Sequence, residues 1–345
     1  MSVTIRPSSL ETLLKATIKA RLPVLITGSP GIGKTDIVHQ AAADAGHDIL
    51  VSHPVVEDPT DAKGIPWPNS DSKEAVFLPM GNLAVALKVK KPTVWFLDDL
   101  GQSPPAVQAA YMQLLLARSV NGHKLPDCLT FIAATNRRTD RAGVSGILEP
   151  VKSRFATIVE LRPNLDDFVG WAFRHDINPY VIAFLRFKSD LLCDFKATAD
   201  MTNSPCPRTW AFVSKLLGLG APQELEFPMV AGAVGEGAAQ EFISFIRLAS
   251  QLPDPDKVLA NPKQAEVPKE PSILHALVSS LVTKANQKNY AKVLQYGDRL
   301  MEHNQGEFAT FLVKDMLRKL PDIAGSSEFV RMMTQTKLGR MFGVK

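Results

Sequence analysis

The sequence predicts an α/β fold, with a parallel-sheet core in its first half and helices alone after that. Three observations predict it. The apolar run Val24-Leu25-Ile26-Thr27 leads directly into a complete G-x-x-x-x-G-K-[ST] loop, which gives way to a helical pattern. A second run, Thr93-Val94-Trp95-Phe96-Leu97, is apolar at every alternate position of both faces and ends in Asp98-Asp99. A parallel strand covered on both sides reads this way. Beyond Pro163 strand signals fade, while apolar residues recur at helical spacing to the end of the chain.

The N-terminal segment comes first in the order. Ser8-Ser9-Leu10-Glu11 has the form of a capping box opening a helix through about Arg21, and Pro23 separates that helix from the first strand. The loop that follows comprises Gly28, Ser29, Pro30, Gly31, Ile32, Gly33, Lys34 and Thr35. Its glycines let backbone N–H groups turn inward around a phosphate, and the helix beginning after it adds the positive end of its dipole. Lys34 is placed to reach terminal phosphates and Thr35 to ligate magnesium. Asp48–Ser52 reads as a second strand. Glu57 to Gly64 reads as a short helix or turn, and residues 65–80, with Trp67, as an insert holding a hairpin strand at 75–79. Trp67 either packs beneath that insert or is free to grip something. Asn82 to Lys90 reads as a helix stopped by Pro92.

The Thr93–Asp99 strand ends where the ligand crevice of a parallel sheet opens. Asp98 there is suited to hold magnesium, and Asp99 to position or deprotonate an attacking water. Pro105 to Arg118 has a helix start and helical spacing, and Asn121-Gly122 marks a two-residue hairpin turn. Leu129 to Asn136 reads as another buried strand. Asn136 at its end serves either to bind the water or γ-phosphate or simply to cap a turn. Asp140 to Gly146 is a polar loop. Arg154 precedes a fifth strand, Phe155 to Leu161, and either pairs with a carboxylate or projects into a neighbouring subunit. Helices are expected at 165–174, 179–187, 210–217, 237–252, 273–285, 290–301, 307–319 and 328–336, with a proline-rich linker from Pro253 to Pro271. Arg208 opens one helix just after two prolines, where a cation opposes the helix dipole and a nearby anion would offset the cost.

Composition narrows the function classes. The chain has 345 residues, 45% of them apolar, and a net charge of +4. That is room for more than one domain, with no basic run that would imply nucleic acid. Three cysteines, an odd count without C-x-x-C spacing, suit free thiols in a reducing compartment, and the expected setting is cytoplasmic. There is no signal-like N-terminus and no membrane-length apolar run. The seven histidines form no ligand spacing, so no metal is expected beyond magnesium brought with nucleotide.

The order of phosphate loop, Asp-Asp strand, strand ending in Asn, Ser-Arg-Phe and Ser-Pro-x-Pro-Arg resembles the AAA+ ATPases. Within them it is similar to the MoxR-like, dynein-related branch. The closest echoes are Asp61-Ala62-Lys63-Gly64, Pro104-Pro105-Ala106-Val107-Gln108, Ala134-Thr135-Asn136-Arg137, Ala142-Gly143-Val144 and Leu148 to Phe155. The resemblance covers about residues 8–217 and loosely reaches Val234-Gly235-Glu236-Gly237. It implies a three-layer α/β core over 1–162, a helical lid over 163–220 and a helical C-terminal region over 221–345. It makes residues 28–35 Walker A, Asp98-Asp99 Walker B, Asn136 sensor 1, Arg154 the arginine finger and Arg208 sensor 2. The insert and the Asn121-Gly122 turn become loops lining the pore of a hexameric ring, with ATP and magnesium between subunits. A von Willebrand factor A type protein is the implied partner. The chain departs from the family at Asp99, where Glu is usual, and that places hydrolysis rather than binding in question. The expected function is ATP-driven remodelling of a protein partner. The alternatives are an ATP-dependent assembly switch with weak hydrolysis and a nucleic-acid motor, the latter disfavoured by the modest charge and the acidic Glu57-Asp58-Asp61 cluster.

Overall fold

The computed structural model describes residues 3–69, 74–140, 146–198, 200–249 and 251–341. The chain divides into two compact units, Met1–Asn164 and Leu165–Lys345.

The first unit runs β1 (Val3–Ile5), α1 (Pro7–Lys19), β2 (Val24–Thr27), α2 (Lys34–Asp44), β3 (Asp48–Ser52), α3 (Pro59–Lys63), β4 (Ile65–Asn69), β5 (Glu74–Leu78) and α4 (Gly81–Ala86). It continues through β6 (Thr93–Leu97), α5 (Pro105–Ala117), β7 (Ser119–Val120), β8 (His123–Lys124), β9 (Leu129–Thr135), α6 (Glu149–Lys152) and β10 (Thr157–Leu161). Six strands form one sheet in the order β1-β10-β2-β9-β6-β3, with every described pairing parallel. Parallel neighbours need crossover helices, and these cover both faces. The expected α/β class is therefore present, a three-layer core followed by an all-helical region.

Strand β6 shows why the runs are apolar throughout. Trp95 and Leu97 point into the core beneath α3, α4 and α5, stacked on Phe131 at 5.3 Å and edge-on to Tyr111. Val94 and Phe96 are equally buried on the opposite face. The Trp95 indole nitrogen donates to Ser52 Oγ at 2.9 Å, so this largest core side chain leaves no polar atom unpaired.

Two small hairpins stand outside the sheet. Strand β4 pairs with β5, and β7 with β8 across Asn121-Gly122, as the turn residues predict. They are tied together, since His123 Nε2 lies 2.7 Å from the Phe77 carbonyl oxygen and Asn121 Nδ2 donates to the Lys63 carbonyl at 2.8 Å.

The second unit contains α7 (Leu165–Arg174), α8 (Pro179–Phe187), α9 (Pro207–Leu217), α10 (Gln223–Val234), α11 (Glu236–Ala249), α12 (Pro255–Ala260), α13 (Pro271–Lys284), α14 (Tyr290–Glu302), α15 (Gly306–Lys319), α16 (Ser327–Gln335) and α17 (Lys337–Met341). One apolar core, from Phe168 to Leu338, runs through it.

Several elements differ from expectation. The N-cap of α1 is Arg6 with Pro7 in the first turn, and no side chain caps it, so Ser8 does not form the predicted box. Helix α4 ends at Ala86, well short of Lys90. The linker at 253–271 contains α12, capped by Asp254 Oδ1 accepting from the Asp256 N–H at 2.9 Å. Helix α10 was not expected because it carries Pro228. The carbonyl that proline leaves unbonded belongs to Glu224 in the first turn, which is exposed and can be satisfied by water. Strand β1 has only three residues, too few for periodicity to register. The echo at Ala142-Gly143-Val144 lies outside the described residues.

Candidate functional site

The phosphate loop leaves the carboxyl end of β2 and enters α2, whose first residue is Lys34. Gly33 sits at φ +90°, a conformation that side chains resist, and this turns the chain into the helix. Lys34 is buried. Its Nζ donates to the carbonyls of Gly28 and Ser29, both at 2.9 Å, and to Asn136 Oδ1 at 2.8 Å. A buried ammonium needs such partners, and the three acceptors hold it within the mouth of the loop.

Strands β6 and β9 flank this point. Asp98 is 9% exposed, and its Oδ2 accepts from Thr35 Oγ1 at 2.8 Å. The hydroxyl and carboxylate together form a hard, oxygen-only donor pair at the foot of the loop, of the type magnesium takes. Among the described residues there is no group of three His, Cys, Asp or Glu suited to a metal. Asp99 follows in the left-handed region at φ +57°, and its Oδ1 accepts from Gln102 Nε2 at 2.5 Å and Asn136 Nδ2 at 3.4 Å. Asn136 thus touches both Lys34 and Asp99, which is more than capping a turn would require.

Arg137, next in sequence, also enters the site. Its Nη2 donates to Ser29 Oγ at 2.5 Å, and the same guanidinium pairs with Asp140 at 2.7 Å and Glu160 at 3.4 Å. Hydrogen bonding to Asp140 holds the guanidinium more firmly protonated than usual. Both carboxylates are buried, so Arg137 ties β9, β10 and the loop together. Sequence reasoning assigned no role to Gln102, Arg137, Asp140 or Glu160. Spacing carried a signal for two of them only, Gln102 three residues after Asp99 and Arg137 one after Asn136.

Not every expected residue joins this cluster. Arg154 follows α6 and precedes β10 at its amino end, whereas the loop emerges from the carboxyl end of the adjacent, parallel β2. Its Nη1 donates to the Pro150 carbonyl at 2.6 Å and Ser153 Oγ at 2.8 Å, and its buried Nε has no partner among the described residues. Arg154 therefore lies at the opposite end of the strands from its own chain's loop. Arg208 belongs to the second unit, exposed at the second position of α9, just after Pro207. Trp67 is 57% exposed, which overturns the packed alternative. In the β4–β5 register Ile65 faces Leu78 and Trp67 faces Val76, so these four exposed apolar side chains share one face of the hairpin.

No family model matches the chain, and no curated protein matches it. Solved structures similar to it include the Thermotoga maritima RuvB Holliday junction branch migration motor, 15% identical, with 96% of this chain and 89% of that one covered at a TM-score of 0.35. A putative ATPase from Cytophaga hutchinsonii is 15% identical over 95% of this chain and 87% of that one, at a TM-score of 0.34. NtrX from Brucella abortus, solved with ADP, is 15% identical over 92% and 68%, at a TM-score of 0.37. Likeness at this level says nothing of activity. No described helix is long and apolar enough to cross a membrane.

Proposed function

We propose that this chain is an AAA+ ATPase of the MoxR-like kind, hydrolysing ATP between the subunits of a ring, most simply a hexamer, to remodel a protein partner. The observation that carries the reading is the convergence of Lys34, Thr35, Asp98, Asp99 and Asn136, drawn from the phosphate loop and two strand ends, within hydrogen-bond distance of one another. Two buried charges, Lys34 and Asp98, bonded to the half-buried Asn136 and Thr35 at the mouth of a glycine-bearing loop, support a triphosphate site.

Magnesium ATP is the substrate, and the metal it brings supplies charge neutralisation between phosphates. The chain does the rest by placement. Backbone amides of residues 28–35 cradle the phosphates, and Lys34 exchanges its carbonyl partners for phosphate oxygens. Thr35 and Asp98 present oxygens to the metal side of the substrate. Asp99 and Asn136 orient the attacking water, whose oxygen bonds to the γ-phosphorus as the bridge to ADP breaks. Arg154, remote from its own loop, serves a neighbour's, where it offsets charge developing on the transferred group. The resemblance assigns Arg208 the part of a further cation for the phosphates. The apolar hairpin face bearing Trp67 is suited to grip an unfolded or looped segment of polypeptide, and a von Willebrand factor A type protein is the partner the resemblance favours. The three free cysteines fit a reducing compartment such as the cytoplasm.

Subunit mixing tests the shared site. Lys34→Ala and Arg154→Ala chains are each expected to be inactive. Mixed, they should regain turnover, because an interface pairing the intact loop of one with the intact Arg154 of the other is complete. Two inactive preparations that stay inactive after mixing, while still co-assembling, would remove Arg154 from the mechanism.

A further inference from the structure

Asp99 stands where Glu is usual, and the structure around it is fitted to the shorter side chain. Its backbone is left-handed, a conformation that Asp tolerates because its short polar side chain can bond locally. Oδ1 accepts from Gln102 Nε2 at 2.5 Å and, more distantly, from Asn136 Nδ2 at 3.4 Å. Among the described residues no donor reaches Oδ2.

Gln102 is itself held in place. It closes the 3₁₀ turn Leu100–Gln102, and its Oε1 accepts from Thr135 Oγ1 at 3.2 Å. The turn comes this close to β9 only because residue 101 is glycine, since a Cβ there would lie 2.2 Å from Thr135 Oγ1. The carboxylate, which only accepts, fixes the sense of the amide with its nitrogen toward Asp99, while the Thr135 hydroxyl, shared between Gln102 Oε1 and the Asn136 carbonyl, packs against its oxygen. A glutamate at 99 would carry its carboxylate about 1.5 Å farther along the chain, past the fixed amide.

We propose that Gln102 is a positioning residue for hydrolysis, capturing Oδ1 of Asp99 so that Oδ2 remains for the attacking water. The site is built around Asp rather than degraded from Glu. This rests on the ATPase reading above and deepens it.

The test is steady-state phosphate release and nucleotide affinity for full-length Gln102→Ala, Gln102→Glu and Asp99→Glu. Gln102→Ala should lower kcat about ten-fold, less than the roughly 10²–10⁴-fold an acid–base group itself supplies because Gln102 acts only through Asp99, with affinity for magnesium ATP essentially unchanged. Gln102→Glu keeps the shape but turns an acceptor toward Asp99. Its rate should fall further at neutral pH and recover relative to the parent as pH is lowered, because a protonated glutamate can donate again. A merely structural defect gives no such recovery. Asp99→Glu should slow turnover.

Full activity in Gln102→Ala, equal losses in the two Gln102 variants at every pH, or faster turnover in Asp99→Glu would each overturn the proposal. A parent chain that binds no ATP overturns the ATPase reading as well. A parent that turns over normally beside unaffected Gln102 variants overturns only this inference.

Discussion

Both units of the chain bury charge, but they do so differently. In the first, Lys34, Asp98, Asp140 and Glu160 are buried around a loop, and their partners include backbone carbonyls and hydroxyls of that loop. In the second, Arg186 and Asp315 bury each other between α8 and α15, with Arg318 reaching Asp315 at 2.8 Å and Asp166 at 3.1 Å. There the guanidinium of Arg186 also lies 4.8 Å from the centre of the Phe311 ring, sealed among aromatic side chains. Both arrangements satisfy the rule that buried charge must be paired. Only the first has partners that a ligand can replace, since Lys34 can trade two loop carbonyls for phosphate oxygens whereas Asp315 has nowhere to turn. Burial of charge alone therefore does not mark a functional site. Replaceable partners do.

The comparison can be broken by substitution. The largest effect is expected for Lys34→Ala, which should reduce affinity for a fluorescent ATP analogue more than about 100-fold, consistent with losing a cation from two phosphate groups. Its thermal stability should be close to the parent's. A comparable loss of stability would make Lys34 a structural residue like Arg186.

Asp315→Ala should behave in the opposite way. Removing one member of a buried pair strands the other, at a cost of about 3 kcal/mol, visible as a lower denaturant midpoint. Nucleotide affinity of the folded protein should not change. Lost affinity in a fully folded variant would mean that the helical network is part of the nucleotide site.

A third test, confined to a window of pH, sharpens the comparison. His275, packed against Phe187, Phe308 and Phe311, is pushed down from 6.5 to about 4 by burial, with Arg186 adding to it. The unfolded chain therefore takes up this proton first. The stability His275 contributes is complete above pH 6.5 and is lost as pH falls towards 4. Thermal melts of His275→Phe should lose less stability than the parent over that interval, while the two converge in their pH response above it. Parallel curves throughout would show that the imidazole is already accessible to protons in the folded state.

Much of this was legible in the amino-acid order, and what was not has physical causes. The phosphate loop declares itself because its chemistry demands local sequence: glycine where φ is positive, lysine and threonine at the helix entry. The β6 and β9 runs declare themselves because covered strands must be apolar on both faces. Arg137 did not, because its partners Ser29 and Glu160 come together through strand order, and Gln102 did not, because the tight turn that aims its amide at Asp99 depends on Gly101 passing against Thr135. Helix α10 was hidden by Pro228 and α12 by its setting among prolines, where a capping Asp254 was the only cue. The Ser8 box failed because Arg6-Pro7 already starts α1 two residues earlier. Trp67 could not be placed from composition, since only the β4–β5 register puts it beside Ile65, Val76 and Leu78 on an exposed face.

Calorimetric titration of the purified full-length chain with magnesium ATP addresses the core of the account. Saturable heat that disappears when the β- and γ-phosphates are absent, as with AMP, is the predicted result. A flat trace with magnesium ATP under conditions where the chain is folded would contradict it.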